Sequence, residues 1–195
     1  MKFTILIVLF TIMAACTIKQ PAETTGGWVK YDQNPVLGGN YGTIFDISVL
    51  QKNDSLLQMF CSWRPERSIA LSESSDGLTW SAPVTCLLFD DSSGWERDVN
   101  RPVVLLKDGI YKMWYTGETD SESSIGYATS TDGRHFRKVS PKPVVTAGTA
   151  WEKKAVQCPH VIWDETDSLY KMWYSGGEQY EPDAIGYATS KDGIN

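Results

Sequence analysis

The chain has 195 residues, 42% hydrophobic and 12% aromatic, enough to bury a core in one domain or slightly more. Its 24 acidic residues outnumber 18 basic ones for a net charge of −6, which argues against nucleic acid as a partner, because phosphate contacts need a basic surface. His135 and His160 do not pair in sequence and Cys61, Cys86 and Cys158 lack ligand spacing, so neither a transition-metal site nor any cofactor is expected.

The first segment reads as an export signal. Lys2 supplies a positive charge, and Phe3 to Ala15 form an apolar run of 13 residues. That run is too short to span a bilayer and has the length of a secretory signal. It ends in Met13-Ala14-Ala15-Cys16, small residues before a cysteine, which look like a bacterial lipobox. Residues 1–15 are expected to be a lipoprotein signal peptide, with Cys16 the lipidated first residue of an exported, membrane-anchored protein. An ordinary secretory signal is the alternative. Residues 16–27 are polar and read as a tether, and residues 28–195 are expected to hold the folded domain.

Beyond the tether the chain repeats itself. Leu57-Gln58-Met59-Phe60-Cys61-Ser62, Tyr111-Lys112-Met113-Trp114-Tyr115-Thr116 and Tyr170-Lys171-Met172-Trp173-Tyr174-Ser175 are three copies of one segment. Each leads to a second shared segment, Ser68–Ser74, Ser124–Ser130 or Ala184–Ser190, that ends in an Asp-Gly turn at Asp76, Asp132 or Asp192. Tyr111, Met113 and Tyr115 alternate with Lys112 and Trp114, which is the period of a strand. A strand centred on Val49, Val104 or Val161 precedes each copy, and a hairpin turn joins the two. Asp-Gly closes the next hairpin because glycine tolerates positive φ. The aromatics Trp80 and Phe136 are expected to open a fourth strand leading to Pro83-Val84 and Pro143-Val144. The turn aspartates stand 56 and 60 residues apart. A repeat of that length built from four short strands predicts an all-β fold, a β-propeller of antiparallel four-stranded blades. About three blades fit in the chain, leaving an incomplete ring, since closure takes at least four.

The up-and-down order selects one face for function. It gathers the loops before the first strands, around Tyr41, Trp95 and Trp151, and the loops after the second, Trp63–Arg67, Glu118–Glu122 and Gly177–Asp183. Loops on a rigid sheet are where binding residues collect, and these are rich in carboxylates and aromatics. Asp46 stands apart. It lies inside a strand between Phe45 and Ile47, where Arg101 and Cys158 take its place in the other repeats. A carboxylate at the inner end of a core strand is costly unless paired or used.

The segments Asn34-Pro35-Val36-Leu37, Phe45-Asp46-Ile47-Ser48-Val49, Tyr111–Gly117 and Ile125–Ser130 resemble the five-bladed β-propeller glycoside hydrolases. These include the arabinanase and β-xylosidase family, the invertase and levansucrase families, and the mannoside phosphorylases. The resemblance runs from about Asn34 to the end and implies a ring of five blades, which at this period takes about 280 residues. It implies a carbohydrate substrate, a plant or microbial oligo- or polysaccharide, cleaved by paired carboxyl groups. Asp46 falls on the family's base or nucleophile. Arg97-Asp98 is similar to the Arg-Asp of the invertase pattern, which makes Asp98 the accessory carboxylate. The family's acid is a glutamate before a cysteine. Gln157-Cys158 has an amide there, which cannot protonate a leaving oxygen, so Glu178 or Glu181 is expected to substitute. Trp63, Trp95 and Trp151 would stack sugar rings, with Asp183 nearby. The phosphorylase alternative needs cations for phosphate, and Arg97, Arg101, Lys153, Lys154 and His160 fall at the starts of adjacent blades. Gln157 also motivates a third reading, a propeller that binds glycan without turnover. The oligomeric state is left open by the sequence.

Overall fold

The computed structural model describes residues 26–195; the signal segment, Cys16 and most of the tether lie outside the described residues. Two compact units divide between Asn34 and Pro35. In the first, the Asn34 N–H donates to the Tyr31 carbonyl at 3.3 Å and closes a turn. The second holds the repeated strands.

Those strands form three successive blades, each antiparallel and in chain order. The first contains β1 (Ile44–Asn53), β2 (Leu56–Trp63), β3 (Ser68–Ser74) and β4 (Val84–Leu88). The second contains β5 (Asp98–Lys107), β6 (Ile110–Glu118), β7 (Ser123–Ser130) and β8 (Arg137–Lys138). The third contains β9 (Ala155–Asp164), β10 (Leu169–Gly177) and β11 (Pro182–Ser190). Short 3₁₀ turns at Arg64–Glu66 and Asp91–Ser93 are the helical elements of the described residues. The array is an open part of a propeller. The first strands of neighbouring blades lie side by side, with the Val104 N–H on β5 donating to Ser48 Oγ on β1 at 3.2 Å.

Alternation along the second strands builds the core. Tyr111, Met113 and Tyr115 pack against Phe60, Ile69, Leu71 and Leu87 of the first blade. Trp114, on the opposite face of the same strand, packs with Val156, Val161, Tyr170 and Met172 of the third. One strand thus supplies both interfaces, as a period of two requires. Cys61 lies fully buried in this packing, where desolvation pushes its thiol up to about 11.

Each Asp-Gly turn is locked by one serine-aspartate pair. Asp76 Oδ1 accepts from the backbone N–H groups of Leu78 and Thr79, both at 2.8 Å, while Ser74 Oγ accepts from Gly77 N–H at 2.9 Å. Ser130 with Asp132 and Ser190 with Asp192 repeat the arrangement.

In the second blade Phe136 leads directly into β8 as expected, while the first blade's fourth strand starts later than expected. Trp80 does not open it; its indole N–H donates to the Gly77 carbonyl at 2.9 Å and closes the turn. Pairing begins after Pro83, which has no N–H to offer a ladder. In the second blade β8 is two residues long, and Val145, beyond Pro141 and Pro143, returns as an isolated bridge to Ile125.

Candidate active site

The three residues that replace one another in the repeat share one unusual backbone. Asp46, Arg101 and Cys158 have φ of 49°, 51° and 54°, the left-handed region that non-glycine residues seldom enter. In β1 and β5 each sits where the ladder skips, between Phe45 and Ser48 and between Asn100 and Val103. These are β-bulges, which re-aim a side chain away from the pleat. The bulge is held from the preceding blade. Ser62 Oγ accepts the Arg101 N–H at 2.8 Å, and Thr116 Oγ1 accepts the Cys158 N–H at 3.0 Å.

The re-aimed side chains meet. Arg101 Nε lies 3.6 Å from Asp46 Oδ2, and its Nη1 donates to Glu118 Oε2 at 3.2 Å and to Asn100 Oδ1 at 2.8 Å. Asn100 Nδ2 donates to Glu118 Oε1 at 2.7 Å. Asp46 and Glu118 therefore flank one guanidinium, with the Asp46 side chain 39% exposed and that of Glu118 8%. Cys158 is exposed as a residue, yet burial around its thiol outweighs the nearby Arg101 charge and holds its pKa above the ordinary value; Asp46 and Glu118 add to the rise. Three blades thus contribute to one cluster.

Next to it runs a narrow cleft between the first two blades, lined by Phe45, Trp63, Arg64, Arg67, Asp98 and Glu118, among others. Asp98 is in this cleft, where Arg67 Nε donates to its Oδ1 at 2.9 Å. Arg67 also meets Asp91 at 3.2 Å and covers the Phe89 ring at 3.9 Å. Trp63 is present too, its indole N–H donating to the Tyr41 carbonyl at 2.8 Å.

The other anticipated residues sit elsewhere. Trp95 stacks on Tyr115 at 6.1 Å and lies against Gly117 and Gly126, where a Cβ would strike its ring. Trp151 repeats this on Tyr174 at 6.0 Å, over Gly176. Both rings are packed on blade surfaces, which accounts for the small residues beneath them. Glu178 and Asp183 are gathered on the rim by Lys153, at 3.9 Å and 3.0 Å. Glu181 lies in the loop between β10 and β11, outside the cleft lining. Arg97 pairs with Asp120 on the rim, and His160 is exposed on β9, two residues past Cys158. Gln157 is buried with its Nε2 donating to the Gln179 carbonyl at 2.7 Å. Among the described residues no group of three or more His, Cys, Asp or Glu is placed to hold a metal ion.

Sequence reasoning missed Glu118, which looks like one more loop acid but ends β6 and turns inward. It also missed the Trp-Glu pairs. Glu96 accepts from Tyr115 Oη at 2.9 Å and pairs with Lys138 at 2.6 Å; burial raises its pKa against the pull of that lysine. Glu152 accepts from Tyr174 Oη at 2.8 Å. Burial pushes Glu152 up as well, but donation from Gly148 and Thr149 brings it below the ordinary value. The recurrence of Trp-Glu after a small-residue loop was the available signal.

No protein-family model matches the chain. Among curated proteins it is 28% identical over 188 residues to the uncharacterized protein Rv1502 of Mycobacterium tuberculosis, an alignment covering 90% of this chain and 58% of that one. The chain therefore spans less than two thirds of the relative's length. Among solved structures, the family 117 glycoside hydrolase Zg3597 of the marine bacterium Zobellia galactanivorans superposes with a TM-score of 0.64 at 16% identity, covering 85% of this chain and 56% of the enzyme. An exo-1,5-α-L-arabinanase from a bovine ruminal metagenomic library gives 0.58 at 17% identity, covering 77% and 52%. The blades described above are the fold this chain shares with those two enzymes.

Proposed function

We propose that this chain carries part of the active centre of a glycoside hydrolase, with Asp46 as base or nucleophile. The observation that carries the reading is the meeting of Asp46 and Arg101, each at a bulge that costs backbone strain, with Glu118 on the same guanidinium. Residues in such conformations cost about 1–3 kcal/mol each and gather at functional sites. The chain shares its fold with solved glycosidases, although a fold alone does not assign an activity.

In this mechanism Arg101 orients Asp46 and keeps its carboxylate beside a fixed positive charge. Glu118, held by Asn100 and Arg101, fixes the guanidinium from its other side. Asp98, steadied by Arg67, is the accessory carboxylate. Asp46 either attacks the anomeric carbon or takes the proton of an attacking water, while a protonated carboxyl delivers its proton to the departing oxygen. Glu178 and Glu181 remain the candidates for that acid. The hydrolase reading is favoured over phosphorolysis because Arg97, Arg101 and Lys153 are each engaged by local carboxylates.

A second reading, glycan binding without turnover, draws on the buried Gln157 at the family's acid position. One experiment separates the two. The protein is assayed on a panel of aryl glycosides, with and without phosphate, beside Asp46→Asn. Release of aryl alcohol that falls at least a thousandfold in the variant supports the mechanism. Undiminished turnover in Asp46→Asn removes Asp46 from it, and glycan binding without any release favours the second reading. An Asp98→Asn variant is expected to lose about ten- to a hundredfold, because it retains Asp46.

We further propose export as a lipoprotein attached through Cys16. Radiolabelled palmitate incorporated by the intact protein and lost in Cys16→Ala is the expected result.

A further inference from the structure

Two arginines, Arg64 and Arg67, line the cleft, and a third, Arg101, meets Asp46 next to it; Arg67 and Arg101 are already neutralised. Arg67 is held by Asp98 at 2.9 Å and Asp91 at 3.2 Å. Arg101 is held by Glu118 at 3.2 Å and Asp46 at 3.6 Å. Arg64 is different. Its guanidinium lies over the Phe45 ring, 5.2 Å from the centroid, and among the described residues no carboxylate lies within ion-pair distance of it. Phe45 immediately precedes Asp46 in β1.

The backbone beneath Arg64 is braced. Its N–H donates to the Thr43 carbonyl at 3.1 Å, and its own carbonyl accepts from the Arg67 N–H at 3.0 Å. Pro65 seats on Gly42, where a Cβ would come within 2.7 Å of the proline ring. Trp63, just before it, is tied to the Tyr41 carbonyl. The turn is therefore clamped to the loop ahead of β1, and the guanidinium is steered by an aromatic face, which restricts a flexible side chain before any ligand arrives. An arginine so held presents a planar fork that matches a carboxylate. A protein of net charge −6 repels polyanions in general, so one uncompensated guanidinium suits a single acidic group on an otherwise neutral sugar.

We propose that Arg64 forms an anion subsite for the carboxylate of a uronic acid, with the Trp63 ring beside it to receive the sugar. This rests on the glycan-binding surface of the proposed function but not on turnover.

The test is a binding titration of the full chain with two matched pairs, methyl glucuronide against methyl glucoside and methyl galacturonide against methyl galactoside, with inorganic phosphate as a further probe. At least one uronide is expected to bind about tenfold or more tightly than its neutral partner, and the preference to weaken in high salt. Arg64→Gln removes the preference while leaving the neutral sugar's affinity unchanged, and Arg64→Lys restores part of it. Circular dichroism confirms that each variant folds. Equal affinity within both pairs, no binding of any sugar, or a preference that survives Arg64→Gln overturns the subsite. So does phosphate that binds at Arg64 and excludes both uronides. Hydrolysis of neutral glycosides without uronide preference leaves the hydrolase reading standing and ends this one. Uronide binding without sugar release does the reverse.

Discussion

Asp46 reaches its partners because its backbone is folded the wrong way for a strand. In an ordinary β conformation it would follow the pleat set by Phe45 and Ile47; at a φ of 49° it leaves that pleat and meets Arg101 instead. The alignment of Asp46, Arg101 and Cys158 could be read from the repeat, but the left-handed turn could not, because none of the three is glycine or asparagine. Glu118 was hidden for a similar reason. Its partner Asn100 is 18 positions away, and only the register of β5 with β6 brings them together. The turn aspartates were more legible, and they give a pH prediction. Backbone N–H donation from Thr79 and Leu78, aided by Ser74, lowers Asp76 to about 2, below the ordinary carboxylate range. A depressed folded-state pKa contributes stability above the unfolded value, and that stability is lost as pH falls through the folded one. Asp76→Ala should therefore melt lower than the parent at pH 7, and the gap should narrow as pH approaches 2. Thermal melts across that range check it; a constant gap would mean that the carboxylate charge contributes nothing.

Each second strand carries two faces and two jobs. Met113 with its flanking tyrosines serves one interface, Trp114 the other, and the hydroxyl of Thr116 reaches the next blade's bulge. The alternation was plain in the sequence. The hydroxyl's task was not, since serine or threonine at a strand end has many uses. Thr116→Val keeps the shape but leaves the Cys158 N–H without its acceptor, at a cost of about 1–3 kcal/mol; chemical denaturation measures it, and Thr116→Ser should restore most of the loss. The third strands show the opposite economy, in which absence of a side chain is the function. In β7, a Cβ on Gly126 would collide with Tyr115 and with the Trp95 ring above it. Gly126→Ala should destabilise by about 1–3 kcal/mol through overpacking. The start of the first blade's fourth strand was misjudged because an aromatic after Asp-Gly resembles a strand start, whereas Trp80 gives its N–H to the turn; in the second blade Phe136 does lead into β8.

At the scale of the molecule, the blades leave unequal faces. Trp114, Ile125 and Tyr127 are buried in the second blade, while their counterparts in the third, Trp173, Ile185 and Tyr187, are 38%, 70% and 53% exposed. Contiguous apolar surface of that kind drives association. The 195-residue chain is expected to self-associate with rising concentration, and Trp173→Ser with Tyr187→Ser to reduce it, as sedimentation velocity would show. Unchanged sedimentation in the double variant would move the sticky surface elsewhere. The bulges have a broader consequence. Aspartate, arginine and cysteine occupy the same left-handed socket in successive blades, so the socket accepts side chains of different charge and size. New chemistry can be installed by swapping one letter per blade: Cys158→Asp would place a carboxylate in the third blade's copy of the socket that holds Asp46 in the first.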